Sequence, residues 1–151
     1  MNLQERVMTE MKAAMRAKET VKLEALRAVK SAILLAQTSG AGSEGLSEDE
    51  ELKLLQRLVK QRKESATIYT EQGREDLAQP ELEQAAVIEQ FLPAQMSEEE
   101  IEKEVESIIT TTGASGMQDM GKVMGMASKH LAGKADGKTI SEIVKRKLAQ
   151  K

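Results

Sequence analysis

The chain has 151 residues, enough to bury one fair core or two small ones. Charged residues make up 31% and hydrophobic ones 40%, an ordinary composition for a protein in water, and cysteine is absent. That absence excludes disulfides, thiolate metal sites and cysteine nucleophiles, and it fits a reducing compartment, read here as the cytoplasm. Residues 1–12 carry Glu5, Arg6, Glu10 and Lys12 and do not read as a signal peptide, and no stretch approaches membrane-spanning length. Aromatics are limited to Tyr69 and Phe91, so aliphatic residues and nine methionines are expected to fill the core. The net charge of -3 hides a gradient: residues 1–39 are net +3, residues 40–112 net -11 and residues 113–151 net +5. A basic end on an acidic chain is a candidate anion-binding surface, the alternative being a solvated helix face.

In chain order, almost every segment reads as helix. Leu3, Val7, Met8, Met11 and Met15 recur at helical spacing and predict a first helix over 2–17. A second runs from Thr20 to Gln37, with Leu26, Val29, Ile33 and Ala36 inward and Lys22, Arg27 and Lys30 on its other side. Thr38 to Gly45 is rich in Gly and Ser and reads as a mobile loop. Ser47 with Glu50 forms a capping box for a third helix reaching Tyr69, with Leu52, Leu55, Leu58 and Val59 inward and a basic cluster of Lys60, Arg62 and Lys63. Gly73 marks its end. A fourth helix begins between Arg74 and Pro80; because proline is awkward in a helix interior, the regular part starts at Gln79 or the element is kinked. Its apolar run is Ala85, Val87, Ile88, Phe91 and Leu92, and Pro93 disfavours continuation.

Ser97 with Glu100 is the sharpest boundary signal, a second capping box, with Glu98 and Glu99 favourable at the positive helix start. It opens a fifth helix ending near Thr111 at Gly113. A sixth covers 117–131 and a seventh 138–149. The expected architecture is all-α: an N-terminal four-helix unit over residues 1–92, then a C-terminal three-helix bundle over 93–151.

Two helices of the basic end concentrate the interest. In the sixth, Met117, Met120, Val123, Met124, Ala127 and Leu131 form the core stripe, with His130, the single histidine, at its edge and read as structural. Gly121 and Gly125 share a second strip, with Ser128 close by and Lys122 and Lys129 beside it. Each glycine inside a helix costs about 1 kcal/mol relative to alanine, so a pair suggests close approach of something to the backbone. Two candidates remain: the seventh helix, or a nucleic-acid backbone, which needs charge and proximity but no base reading. In the seventh helix Ile140, Ile143, Val144 and Leu148 form the buried arc; Lys138 and Lys145 face away and Arg146 lies to one side. Lys134 sits in the connection. The candidate nucleic-acid-binding set is thus Lys122, Lys129, Lys134, Lys138, Lys145, Arg146, Gly121 and Gly125.

No catalytic set is found. A serine triad would need His130, and no serine stands out as its partner; no phosphate-binding loop, dinucleotide fingerprint or zinc-protease motif occurs. Glu98, Glu99, Glu100, Glu102 and Glu104 read as a solvated helix start rather than a metal site, and Arg74, Glu75 and Asp76 as local ion pairing. Neither metal nor cofactor is expected.

Lys60-Gln61-Arg62-Lys63-Glu64-Ser65 with Tyr69, Gly73-Arg74-Glu75-Asp76-Leu77-Ala78, Phe91-Leu92-Pro93-Ala94-Gln95-Met96-Ser97 and Asp119-Met120-Gly121-Lys122-Val123-Met124-Gly125, in that order, closely resemble the GatB/YqeY family. Met11-Lys12-Ala13-Ala14-Met15-Arg16 and Leu26-Arg27 match its N-terminal pattern. The resemblance implies a two-domain helical protein similar to the tail of the B subunit of the tRNA-dependent amidotransferase, which helps to hold tRNA. It also implies the family's association with carbon–nitrogen ligase activity using glutamine as amido-N donor. That activity is not expected from this chain alone, since only the tail is represented. Pro80 interrupts the usual charged helix, and Phe91 stands where Tyr is common. The leading expectation is a non-catalytic accessory protein that binds tRNA or another structured RNA and acts in translation. The alternative is an adaptor for a protein partner in tRNA aminoacylation or amidation, docked through the acidic middle.

Overall fold

Seven α-helices and one short 3-10 turn form the regular structure of the described residues, 2–39 and 45–150 of a computed structural model. No strand occurs among them, so the chain is all-α. The helices are α1 (Leu3–Ala17), α2 (Thr20–Thr38), α3 (Glu48–Glu71), α4 (Glu75–Glu89), α5 (Glu98–Thr112), α6 (Met120–His130) and α7 (Gly137–Ala149). The chain divides into two compact units, Met1–Pro93 and Ala94–Lys151. Most of the loop expected from Thr38 to Gly45 lies outside the described residues, and Thr38 itself closes α2.

Local chemistry sets the helix ends. The Asn2 side chain accepts from the Glu5 N–H at 2.8 Å, so Asn2 caps α1. Ser47 and Ser97 both form reciprocal capping boxes: each hydroxyl accepts from the third helical N–H, of Glu50 or Glu100, and that glutamate accepts from the serine N–H, all at 3.2 Å. Gly113, at φ 68, ends α5 in the left-handed conformation that favours glycine. Pro80 does not delay α4, as the sequence suggests it could. The helix is continuous from Glu75, with Pro80 as its sixth residue. The missing N–H leaves the Asp76 carbonyl unbonded, but both residues are exposed, so water can solvate it.

In the first unit, α3 packs along α4, and α2 bridges α4 and α1. Its core is Val7, Leu26, Val29, Leu55 and Ile88, with Phe91 at the edge. The Arg6 guanidinium stands over the Phe91 ring, 5.2 Å from its centroid, a cation–π contact. Two members of the basic cluster on α3 stitch it to α4, while Lys60 is exposed. Arg62 donates to Gln84 of α4 at 3.1 Å and Lys63 pairs with Glu89.

The methionine contribution expected from composition is only partly met: Met11, Met96, Met120 and Met124 pack half-buried against the cores. No described methionine is buried; Met8, Met15, Met117 and Met126 are exposed, and Ala14 takes the inward place expected for Met15. The reason is narrow coverage. Helix α1 packs chiefly on α2, so the stripe through Leu3, Val7, Met11 and Ala14 is covered, while Met8 and Met15, one position on from Val7 and Ala14, turn about 100° away.

The second unit packs Ile101, Val105, Ile108 and Ile109 of α5 against Val123 and Ala127 of α6 and Ile140, Ile143, Val144 and Leu148 of α7. Each such valine, leucine or isoleucine side chain contributes about 2 kcal/mol when fully buried. Helix α6 begins three residues later than the sequence suggests. The Asp119 carboxylate accepts from the Ser115 N–H at 2.9 Å and Met117–Asp119 form the 3-10 turn, which leaves Met117 exposed.

The Ser97 box gives a pH test. The Ser97 N–H holds the Glu100 carboxyl below its ordinary range. Its contribution to stability is therefore complete above the ordinary carboxylate range and is lost as pH falls through the lowered value. Ser97→Ala is expected to destabilise the second unit by about 1 kcal/mol. Glu100→Gln is expected to flatten the acid limb of stability followed by urea denaturation; an unchanged limb contradicts this role.

Candidate nucleic-acid interface

The outward surface of the second unit follows from which side chains its core consumes. On α7 the buried arc fixes two flanks. One carries Arg146, paired with Glu98 at 3.6 Å and hydrogen-bonded to Glu102, and Lys147, paired with Glu106 at 2.7 Å. These partners all belong to α5, so this flank faces α5. At about 100° per residue, Lys138 and Lys145 lie on the opposite flank, toward α6. Both are exposed, with exposed Glu142 between them.

On α6, Val123 and Ala127 point inward and are fully buried. Gly121 and Gly125 are exposed, and a Cβ built on either meets nothing within 4 Å. Close packing of α7 on the glycines, one of the two readings of the sequence, is thereby excluded. Lys122 and Lys129 are also exposed, next around the helix from the glycines.

Helices α6 and α7 pack together across the short connection 131–136, and a connection this short joins antiparallel neighbours. In an antiparallel pair the flanks of like rotation lie on one side. Moving outward from α7 around α6, the order is Ser128, Gly121, Gly125, Lys129, Lys122. On α7, moving outward from α6, it is Ser141, then Lys145 and Lys138. By this placement Gly121, Gly125, Ser128 and Ser141 form a strip of small residues, termed the floor of a trough, with a row of two lysines on each side. Within each row the lysines are seven residues apart, about 10.5 Å along the axis.

The connection closes one end. Gly133, at φ 77, makes its left-handed turn, and exposed Lys134 follows. This loop is anchored by the segment entering α5: Gln95 donates to the Gly133 carbonyl at 2.7 Å and the Met96 N–H to the Lys134 carbonyl at 3.0 Å. The Phe91-to-Ser97 motif thus positions Lys134 through its last residues.

Of the candidate set, five lysines and both glycines share this face, and none of the five lysines is ion-paired among the described residues. Arg146 stands apart, its guanidinium taken by α5. Sequence reasoning missed Ser141, although its helical position marks it, and missed that Glu142 dilutes the positive charge. His130 is exposed at the end of α6, not packed at the core edge.

The other polar clusters have local explanations. Glu98, Glu102 and Glu106 pair with α7, and Glu100 completes a cap. Arg74 grips Asp76 through two hydrogen bonds of 3.0 and 2.9 Å, which hold the Asp76 carboxyl below its ordinary range. No group of three or more His, Cys, Asp or Glu placed to hold a metal occurs among the described residues. No described helix is long and apolar enough to cross a membrane.

These features define a two-unit, all-helical protein with an exposed basic trough on its second unit. The chain belongs to the YqeY family: residues 4–148 match the family described as Yqey-like protein. It is 39% identical over 75 residues to a Glutamyl-tRNA(Gln) amidotransferase subunit of Thermococcus gammatolerans, a match covering 47% of this chain and 12% of that protein. It is 33% identical over 125 residues to Altered inheritance of mitochondria protein 41, mitochondrial, of Meyerozyma guilliermondii, covering 80% of this chain and 64% of that protein. The chain therefore spans less than two thirds of either relative.

Because the glycines face open space, alanine fits at both without displacing a neighbour. Gly125→Ala is expected to stabilise α6 by about 1 kcal/mol, read as a higher urea midpoint, and Gly121→Ala, at the second residue of the helix, by less. Destabilisation by either would show that the helix is held by contacts the open face lacks.

Proposed function

We propose that this chain is a non-catalytic accessory protein that associates with tRNA or another structured RNA through the α6–α7 trough. The observation that carries the reading is the pairing of two exposed lysine rows with a floor open to close approach. Lys122 and Lys129 on one side and Lys138 and Lys145 on the other supply charge for phosphates, with Lys134 at the end. Gly121 and Gly125 let a backbone come near. The second unit contains no aromatic residue, which weighs against recognition of single strands by base stacking.

The similarity to a protein named for glutamyl-tRNA(Gln) amidation supports tRNA as the RNA. A role beside the amidation or aminoacylation machinery follows on this reading, with the ligase chemistry supplied by other proteins. The absence of cysteine supports a reducing compartment such as the cytoplasm.

Fluorescence anisotropy of labelled, folded tRNA across a salt series tests the proposal. Binding is expected to weaken steeply with salt. Lys122→Glu with Lys129→Glu is expected to weaken it throughout and to reduce the salt slope by about 2, one for each phosphate contact removed. Glu142→Lys, which removes the acid between two rail lysines, is expected to tighten it. No binding at low salt would reject the proposal and favour a protein adaptor docked through the acidic middle of the chain.

A further inference from the structure

We infer that the trough straddles the shallow minor groove of an A-form RNA double helix, its lysine rows on the two phosphate backbones and its floor against the ribose edge. This deepens the structured-RNA reading and rests on it.

Three properties of the trough select this ligand. Its charge is arranged as two rows with a neutral gap between them, Lys122 and Lys129 on α6 and Lys138 and Lys145 on α7. Two rows suit two phosphate strands flanking a groove, whereas a single strand needs one track. Its floor projects almost nothing: Gly121 and Gly125 have no side chains, and Ser128 and Ser141 have short ones. A B-form major groove is deep and is read by side chains that reach in, and the B-form minor groove, about 6 Å wide, is too narrow to admit a helix. The A-form minor groove is wide and shallow and displays 2′-hydroxyls, so it meets a flat floor.

The third property is chemical. Ser128 is exposed and Ser141 half-buried, and neither hydroxyl is hydrogen-bonded to another described residue. A serine hydroxyl both donates and accepts, as does a ribose 2′-hydroxyl. These two serines are the polar side chains of the floor, and they are the groups placed to distinguish RNA from DNA. The acidic groups nearest the face are Glu142 within the α7 row and Asp136 before α7, both exposed. They lower the general attraction for phosphate and leave the RNA-specific contacts with a larger share of the discrimination.

The experiment compares, at one salt concentration, binding of the full chain to folded tRNA and to three duplexes of one sequence, each of about 16 base pairs: RNA, DNA, and RNA carrying 2′-O-methyl groups. The methylated duplex keeps the A-form but loses its hydroxyl donors. The RNA duplex is expected to bind about ten-fold more tightly than either of the others, the worth of one or two hydrogen bonds. Ser128→Ala with Ser141→Ala is expected to remove most of the preference over the methylated duplex, while leaving DNA binding and helical circular dichroism unchanged. Gly125→Leu, which fills the floor, is expected to weaken the RNA duplex at least as much.

Equal binding of the three duplexes, or a preference over the methylated duplex that survives the serine substitutions, would overturn the inference while leaving tRNA association intact. Failure to bind tRNA as well would overturn both.

Discussion

Everything on the outer surface of the second unit depends on the mutual burial of one aliphatic stripe from each of three short helices. Val105 of α5, Val123 of α6 and Val144 of α7 are all fully buried, and the isoleucines and leucines around them complete the core. With no aromatic residue and no disulfide in this unit, those stripes are what fix the rotation of each helix about its axis. Once rotation is fixed, the fate of every charge follows. Arg146 and Lys147 turn to α5 and meet its glutamates. Lys138 and Lys145 turn the other way and meet none. Such exposed ion pairs add about 0–1 kcal/mol each, too little to choose the fold, but they remove a flank of α7 from the free basic surface.

Helix α6 shows what that free surface demands. It has 11 residues, among them two glycines, in a helix already short enough to be marginal alone. Alanine would fit at both positions and would favour the helix, by about 1 kcal/mol at the interior Gly125 and by less at Gly121 in the first turn. Among the described residues nothing comes within 4 Å of a Cβ built on either glycine, so packing there gives no reason for them. On the proposed function, their value lies at the surface, where a bare backbone would let a rigid ligand come closer to the lysines beside it. The anchoring of the Gly133–Lys134 turn by Gln95 and Met96 holds one end of that surface in place, which limits the ordering that binding must impose.

Much of this was legible in the sequence, for reasons that differ by element. The two capping boxes are spelled within four residues, so Ser47–Glu50 and Ser97–Glu100 could be read directly. The arc of α7 was legible in full because Ile140, Ile143, Val144 and Leu148 leave no rival face. The family was legible because its motifs occur in one order over nearly the whole chain. Methionine placement was not: Met8, Met15 and Met117 have the right periodicity, but coverage depends on which neighbouring helix is present. Pro80 misled because an exposed carbonyl tolerates a missing donor. The meaning of Gly121 and Gly125 was undecidable from spacing, since packing and open surface leave the same pattern. The partners of Arg146 lie on another helix and leave no local trace.

The most direct test of the account follows backbone amide resonances of the isotope-labelled full chain as unlabelled folded tRNA is added. Glycine amides resolve well, so Gly121 and Gly125 report from the floor, with Ser128, Ser141 and Lys134 alongside. The account predicts that the largest shifts cluster on these residues and on Lys122, Lys129, Lys138 and Lys145, while Glu102, Arg146 and the first unit change little. Shifts centred on the α5 flank or on the first unit, with the glycines silent, would contradict it.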